Sequence, residues 1–168
     1  EASVELAAKW GDPLFSANVT NPIEPYAALV RHYRESWVKY GHDPEDLLVG
    51  AGTAGYYCAK TSQDAIATYR PFFDARVAGM RARGMDPVFH SLEDAIERSS
   101  ALVGSPQQII EKVHRYHEQM GHEILNINAD GAGLTPAQHR ATLELFQSDV
   151  APALRRDIPS RPFPQVVS

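Results

Sequence analysis

The sequence predicts an α/β fold built on a parallel sheet, and three observations lead to this prediction. Segments with the hydrophobic spacing of helices alternate along the chain with short apolar runs of strand type. Cap residues, prolines or glycines mark most of the joints between these segments. No two strand-like runs are joined by a two-residue turn. The pattern is therefore that of β–α units with parallel strands and not that of hairpins.

The first elements are a short helix, a strand and a longer helix. The short helix is predicted from Ser3 to Gly11, and the strand follows from Leu14 to Ala17. The longer helix is predicted from Glu24 to Tyr40 because apolar and aromatic residues recur there at helical spacing, and Gly41 is a typical helix end.

A longer strand is predicted from Leu47 to Cys58. It contains Gly50-Ala51-Gly52-Thr53-Ala54-Gly55, which matches the dinucleotide fingerprint G-x-G-x-x-G. That fingerprint requires a helix to open at the glycines, so that the pyrophosphate meets its amino terminus. Here the next helix signal comes later, at the capping box of Thr61 and Asp64. We therefore interpret the glycines as small residues inside a strand.

The second half of the chain repeats the pattern. Between the helix that starts at Thr61 and the next strand signal, residues 80–100 are irregular apart from a short helix, and a short strand is predicted near Ala101 to Val103. Ser105-Pro106 opens a helix that Gly121 ends. Its apolar face is predicted to consist of Ile109, Ile110, Val113, Tyr116 and Met120.

The last strand is predicted from Ile124 to Asn128, and the glycine-rich turn 129–133 follows it. Proteins with parallel sheets bind their ligands at such turns, which follow the carboxyl ends of the strands. Thr135-Pro136 opens the final helix, which is predicted to reach Arg156. The proline-rich tail, residues 157–168, is predicted to be irregular.

The number of strands is too small for a complete barrel. A closed (β/α)₈ barrel has eight strands and typically about 250 residues, whereas three clear strands and one short one are visible in 168 residues. An open doubly wound sheet also usually has about five strands, so we expect that the chain is incomplete. Its open sheet edges would then be covered by a missing amino-terminal half or by a second copy in a homo-oligomer.

Four segments in this order resemble the luciferase-like family of flavin-dependent monooxygenases. They are Ser3 to Gly11 with Leu14-Phe15-Ser16, Tyr33 to Trp37, Leu102 to Lys112, and Leu145 to Arg155. The chain is similar to the carboxyl-terminal half of that family. The resemblance implies a (β/α)₈ TIM barrel whose carboxyl-terminal half is residues 1–156, with reduced flavin mononucleotide (FMN), or a deazaflavin in some branches, as cofactor.

The same resemblance implies the chemistry and its partners. Reduced flavin, supplied by a flavin reductase, and O₂ would oxygenate a small organic substrate. The family's catalytic residues lie in the half that this chain lacks, so no catalytic residue is assigned and the isolated chain is expected to be inactive. Two alternatives stay open: a non-catalytic flavin-binding or interaction protein of the same fold, and another barrel enzyme that binds a phosphorylated ligand at Ser3 or at the 131–133 turn.

The resemblance places the flavin phosphate at the start of the first helix. Ser3 matches a hydroxyl ligand to the phosphate, and Glu1 and Ala2 would contribute backbone amides. A helix amino terminus offers unpaired N–H groups and the positive end of the helix dipole to an anion. The alternative is that Ser3 is only an N-cap.

The second family feature is a mobile lid, and residues 80–100 match it. Such lids exclude water from reactive intermediates. We expect His90 or Arg98 to reach an anionic substrate when the lid closes. The alternative is an ordinary solvated surface helix.

The remaining features exclude several classes of function. His114, His117 and His122 are close in sequence but lack the further ligands of a known metal spacing, so no metal is expected. A net charge of −5 with dispersed Lys and Arg disfavours a nucleic-acid partner. The one cysteine, Cys58, suits the cytoplasm. No apolar run is long enough to suggest a membrane partner.

Overall fold

The structure is a computed structural model that describes residues 2–131 and 133–162 of the 168-residue chain. Helices and short strands alternate, as predicted. In chain order the elements are α1 (Ala2–Trp10), β1 (Leu14–Ser16), α2 (Ile23–Lys39), β2 (Val49–Gly52), β3 (Tyr56–Cys58), α3 (Ser62–Ala82), α4 (Leu92–Arg98), β4 (Leu102–Gly104), α5 (Pro106–Met120), β5 (Ile124–Asn126), α6 (Pro136–Leu145) and α7 (Ala151–Asp157). A 3₁₀ turn, Pro44–Asp46, precedes β2, and a π-helical turn, Phe146–Val150, joins α6 to α7.

The five strands form two parallel sheets. One sheet has the order β1-β2-β5, and β3 pairs with β4 in the other. In the first sheet Leu14 is paired with Val49, and Gly50 is paired with Ile124. Every strand pair in the described ranges is parallel. The mixed α/β architecture with parallel strands is therefore confirmed.

The prediction of one strand from Leu47 to Cys58 is wrong. The run breaks at Thr53-Ala54-Gly55 into β2 and β3, which belong to different sheets. Gly55 has a φ of 153°, which favours glycine over other residues. Gly50 and Gly52 lie within β2, and the next helix begins only at Ser62. The glycines therefore do not open a helix, as the dinucleotide fingerprint would require.

The amino-terminal helices pack on the first sheet. Their shared core includes Val4, Ala8, Val30, Tyr33 and Trp37. The Tyr33 hydroxyl donates to the Asp12 carbonyl at 2.8 Å, and the Trp37 indole N–H donates to the Asp43 carbonyl at 2.8 Å. These bonds satisfy the polar ends of two buried aromatic side chains.

The middle helices pack on the second sheet. Phe73 of α3, Leu92 and Ala95 of α4, and Phe89 between the two helices are buried in one apolar cluster with Val103. The stretch 80–100 therefore has an inner side that is part of the core. Its outer side is exposed, including residues 81–86.

The last helix is one residue longer than predicted. Asp157 belongs to α7, so the irregular tail begins one residue later, at Ile158. Arg161 donates to the carbonyls of Glu45 (2.6 Å) and Leu47 and lies 3.7 Å from the Glu123 carboxylate. The tail thus crosses the amino end of β2. Residues 163–168 lie outside the described residues.

The outer strands of the first sheet leave apolar side chains uncovered. Phe15 of β1 is 56% exposed and Ile124 of β5 is 37% exposed. Within the described residues neither strand has a neighbour on its outer side. No described helix combines the length and apolar character needed to cross a membrane.

Candidate functional site

The carboxyl ends of β1, β2 and β5 lie together at one end of the sheet because the three strands are parallel. A cavity of about 440 Å³ opens beside these strand ends. Val19 and Thr20, after β1, Ala54, after β2, and Asn128, after β5, line it. This is where parallel α/β sheets and barrels bind their ligands.

A buried polar network connects the strand ends near this cavity. Asn18 is buried with a φ of 52°, an uncommon conformation for a residue other than glycine. Its side-chain amide donates to the Tyr116 hydroxyl, which donates to the Gly52 carbonyl at 2.9 Å. Burial raises the pKa of Tyr116 to about 12, so its hydroxyl keeps the proton that it donates at neutral pH.

Two further hydroxyls extend the network. Ser100 Oγ donates to the Asn18 carbonyl and accepts from the Ala54 N–H at 2.9 Å. Thr53 Oγ1 accepts from the Asn128 N–H at 2.8 Å. Side chains from α5 and from the segment before β4 therefore connect the ends of β1 and β2, and Thr53 connects the ends of β2 and β5. Satisfied buried networks of this kind rigidify a structure.

The wall of the cavity opposite the strand ends is largely apolar. Phe73, Val77 and Met80 of α3 line it, together with Pro87, Val88 and Phe89 of the following loop. Two cationic side chains, Arg76 and Arg83, complete this wall. The Arg76 guanidinium lies over the Phe73 ring, 5.5 Å from the ring centroid. The cavity is thus suited to an apolar group next to a negative charge.

The residues predicted to bind the flavin phosphate lie at the start of α1. Glu1 lies outside the described residues. Ala2 and Ser3 are exposed, and helix α1 begins at Ala2, so Ser3 is inside the first turn and is not the N-cap. Ser3 Oγ has no hydrogen-bond partner in the described part of the chain. Ala2 borders a wide depression that Pro25, near the start of α2, also lines. Because α2 follows the carboxyl end of β1, this depression is on the same side of the sheet as the cavity.

The two residues predicted to act from the lid do not line the cavity. His90 is exposed, with Nδ1 3.4 Å from a guanidinium nitrogen of Arg81. Arg98 forms a bidentate ion pair with Asp94, at 2.6 and 2.8 Å, and lies over the Phe89 ring. The structure instead brings Arg76 and Arg83 to the cavity. Arg83 is the C-cap of α3, seven residues or about two helical turns after Arg76, and this spacing is the sequence signal that places both cations on one side of the helix.

The three histidines that are close in sequence, His114, His117 and His122, have neighbours other than a metal-ligand set. His114 lies 3.4 Å from Asp157, and the rings of His117 and His122 are in contact at 5.2 Å between centroids. Within the described ranges, no group of three or more His, Cys, Asp or Glu residues is arranged to hold a metal ion. Burial raises the pKa of the Cys58 thiol to about 11, which disfavours a reactive thiolate.

Comparisons with known proteins give one matching family model and several similar solved structures. A family model described as luciferase-like monooxygenase matches residues 1–123. Monooxygenase RslO1 from Streptomyces bottropensis superposes with a TM-score of 0.73 at 20% identity, covering 90% of this chain and 44% of that one. A comparison with curated proteins gives no match.

Two further solved structures are similar. The oxygenating constituent of 3,6-diketocamphane monooxygenase, a type II Baeyer-Villiger monooxygenase from the CAM plasmid of Pseudomonas putida in complex with FMN, has a TM-score of 0.62 at 25% identity, with 90% of this chain and 45% of that one covered. The coenzyme F420 dependent tetrahydromethanopterin reductase from Methanopyrus kandleri has a TM-score of 0.60 at 14% identity, with coverages of 89% and 47%. The chain spans less than half the length of each of the three proteins.

Proposed function

The chain belongs to the luciferase-like monooxygenase family, and from this membership we propose that it forms the carboxyl-terminal half of a (β/α)₈ flavin-dependent monooxygenase. The observation that carries the proposal is the three-stranded parallel sheet, which has open edges at β1 and β5 and a cavity at its carboxyl ends. The length of the chain relative to its structural neighbours supports the same view. Residues 1–156 would constitute this half-barrel.

The proposed reaction is the oxygenation of an organic substrate by O₂ and reduced flavin, delivered by a flavin reductase. FMN is the cofactor that we favour, because a similar structure contains it, and a deazaflavin is the second candidate. The bound flavin would supply the electrons, and the protein would supply a shaped and dry pocket. In this chain the apolar wall of the cavity would exclude water, and the outer part of residues 80–100 would act as the lid.

The start of α1 is suited to the flavin phosphate. Ser3 Oγ is exposed and free to donate, and the N–H groups of a first helical turn have no partners within their helix. The dipole of the nine-residue helix favours an anion at this end. Ser3 would therefore bind the phosphate together with backbone amides of the first turn.

Substitution Ser3→Ala is expected to weaken FMN binding by about 1 to 2 kcal/mol through the loss of one charge-assisted hydrogen bond. Riboflavin lacks the phosphate, so its affinity should not change. Ser3→Thr retains the hydroxyl and is the matched control. Fluorescence titration of both ligands measures the effect. An equal loss for FMN and riboflavin would show that Ser3 does not contact the phosphate.

The open edges predict that the chain assembles. Leu14, Phe15, Leu48, Ile124 and Ile127 should be buried in the completed assembly, either by the first half of a longer chain or by a second copy. In sedimentation, the isolated chain should show association or aggregation, and its melting temperature should depend on concentration if it dimerises. A monomer with concentration-independent melting would contradict the half-barrel.

The activity is tested on the complete protein that carries this chain. We expect it to copurify with, or to bind, FMN, and to consume O₂ when NADH and a flavin reductase are added together with an organic substrate. Flavin binding without O₂ uptake would favour the non-catalytic alternative. Absence of flavin binding would contradict the proposal and would favour a barrel enzyme for another phosphorylated ligand.

A further inference from the structure

The charge of the cavity differs from the charge of the chain. The chain carries 21 acidic and 16 basic residues, counting Asp, Glu, Lys and Arg. Arg76 and Arg83 nevertheless line the cavity, and no described aspartate or glutamate does. A concave surface with charges of one sign and low-dielectric walls concentrates ligands of the opposite sign. The cavity is therefore a positive site on an acidic protein.

Neither arginine is neutralised by a carboxylate in the described part of the chain. Among the described residues, Arg83, the C-cap of α3, donates only to the Gly79 carbonyl, at 3.1 Å, and Arg76 lies over the Phe73 ring. By contrast, Arg70 of the same helix is paired with Glu93. Arg76 and Arg83 thus remain available for an anionic group of a ligand.

The apolar surface lies directly beside these cations. Phe73, Val77, Pro87 and Phe89 are buried side chains whose edges line the cavity, and Val88 contributes exposed apolar surface. An apolar ligand body that covers this surface would be bound favourably, because apolar area is removed from water. A planar guanidinium can bind a carboxylate through two parallel hydrogen bonds. The two requirements are met together by one molecule that has an apolar body and one carboxylate end.

We infer that the cavity binds an amphipathic carboxylate, with its apolar body against α3 and residues 87–89 and its carboxylate at Arg76 and Arg83. This inference names the substrate class of the proposed monooxygenase and rests on that proposed function. It also replaces Arg98 and His90, which the sequence suggested, with Arg76 and Arg83 as the residues that select an anionic substrate.

The test compares two ligands of equal length, decanoate and decan-1-ol, by calorimetric titration of the complete protein. Decanoate should bind at least about ten-fold more tightly than decan-1-ol, because a hydrogen bond to a charged partner contributes this much. Arg76→Gln and Arg83→Gln should each remove most of this preference and leave decan-1-ol binding unchanged. Arg76→Lys retains the charge and should keep part of it.

Arg81→Gln is the matched control. Arg81 lies in the last turn of α3, two residues before the C-cap Arg83, but does not line the cavity and is next to His90. Its substitution should leave the affinities for both ligands unchanged. Equal binding of decanoate and decan-1-ol by the unsubstituted protein would overturn the inference, as would an equal loss of decanoate binding in Arg81→Gln and Arg76→Gln.

FMN titrations of the same variants distinguish this inference from the proposed function. A decanoate preference that depends on Arg76 and Arg83 supports the inference even if no flavin binds, in which case the monooxygenase assignment fails alone. If Arg76→Gln weakens FMN more than decanoate, the arginines serve the flavin and the inference is wrong. Normal FMN binding without a decanoate preference overturns the inference and leaves the assignment intact.

Discussion

Substitution Gly52→Ala should destabilise the protein by about 3 kcal/mol, the upper end of the usual range for overpacking a core. A Cβ at Gly52 would lie well inside contact distance of the Ala17 carbonyl and within 3.2 Å of the Ala17 Cα. These atoms of Ala17 belong to the backbone and cannot rotate away as a flexible side chain can, so β1 would have to move away from β2. The substitution would also disturb the Gly52 carbonyl, which accepts the Tyr116 hydroxyl.

The matched control for this prediction is Gly79→Ala in the last turn of α3. The nearest atom to a Cβ there is a guanidinium nitrogen of Arg83 at 3.9 Å, an ordinary contact. Alanine is the better helix former, so this variant should gain up to about 1 kcal/mol. Urea unfolding followed by circular dichroism measures both effects. A Gly52→Ala variant within 1 kcal/mol of the unsubstituted protein would show that β1 and β2 separate without much cost.

Acid should destabilise the protein through His122 as the pH falls below about 6.5. His122 is 5% exposed, and its ring lies against Tyr116, 4.9 Å between centroids. Nδ1 is buried without a partner in the described part of the chain. Burial, with smaller contributions from His117 and Arg34, lowers the pKa of His122 from 6.5 to about 4.

The sign of the effect follows from proton uptake. Between pH 6.5 and about 4, the unfolded chain binds a proton at His122 and the folded chain does not. The contribution of His122 is therefore complete above pH 6.5 and is lost as the pH falls towards 4. From pH 7 to pH 4.5 the unfolding free energy should drop by about 2 kcal/mol from this residue.

Variant His122→Phe keeps a ring in this position and removes the titration, so its stability should depend much less on pH in this window. His90→Phe replaces an exposed histidine and should retain the full dependence. Urea unfolding at pH 7, 5.5 and 4.5 provides the comparison. Identical pH profiles for His122→Phe and the unsubstituted protein would rule out His122 as the source.

The elements with strong local signals were predictable. Helix α5 is an example: Ser105 and Gln108 form the capping box, and Gly121 ends the helix with a φ of 58°. The break between β2 and β3 was not predictable from local pattern, because the apolar and glycine-rich run continues across it. Which sheet a strand joins depends on its partners, and the partner of β3 is β4, far along the chain.

The candidate site was predictable in location but not in composition. Parallel strands imply a ligand site at their carboxyl ends, and the cavity is there. Which cationic side chains line the cavity depends on how α3 is oriented toward the strand ends, and this orientation is set by tertiary packing. The burial of a polar side chain is likewise not predictable from local pattern. Lys112 is 5% exposed with no partner for Nζ in the described part of the chain, and burial lowers its pKa to about 8. A lysine in a helical sequence is normally read as a surface residue.

The central position of β2 has a consequence for the order in which the sheet can form. One neighbour, β1, precedes it, whereas the other, β5, lies beyond α5, so Gly50 meets Ile124 only when most of the chain is present. Closing so long a loop costs conformational entropy before any contact is gained. During synthesis from the amino end, β2 therefore has one neighbour until β5 has been made, and its second edge is open for that period. During this interval the open edge of β2 can pair with a wrong strand.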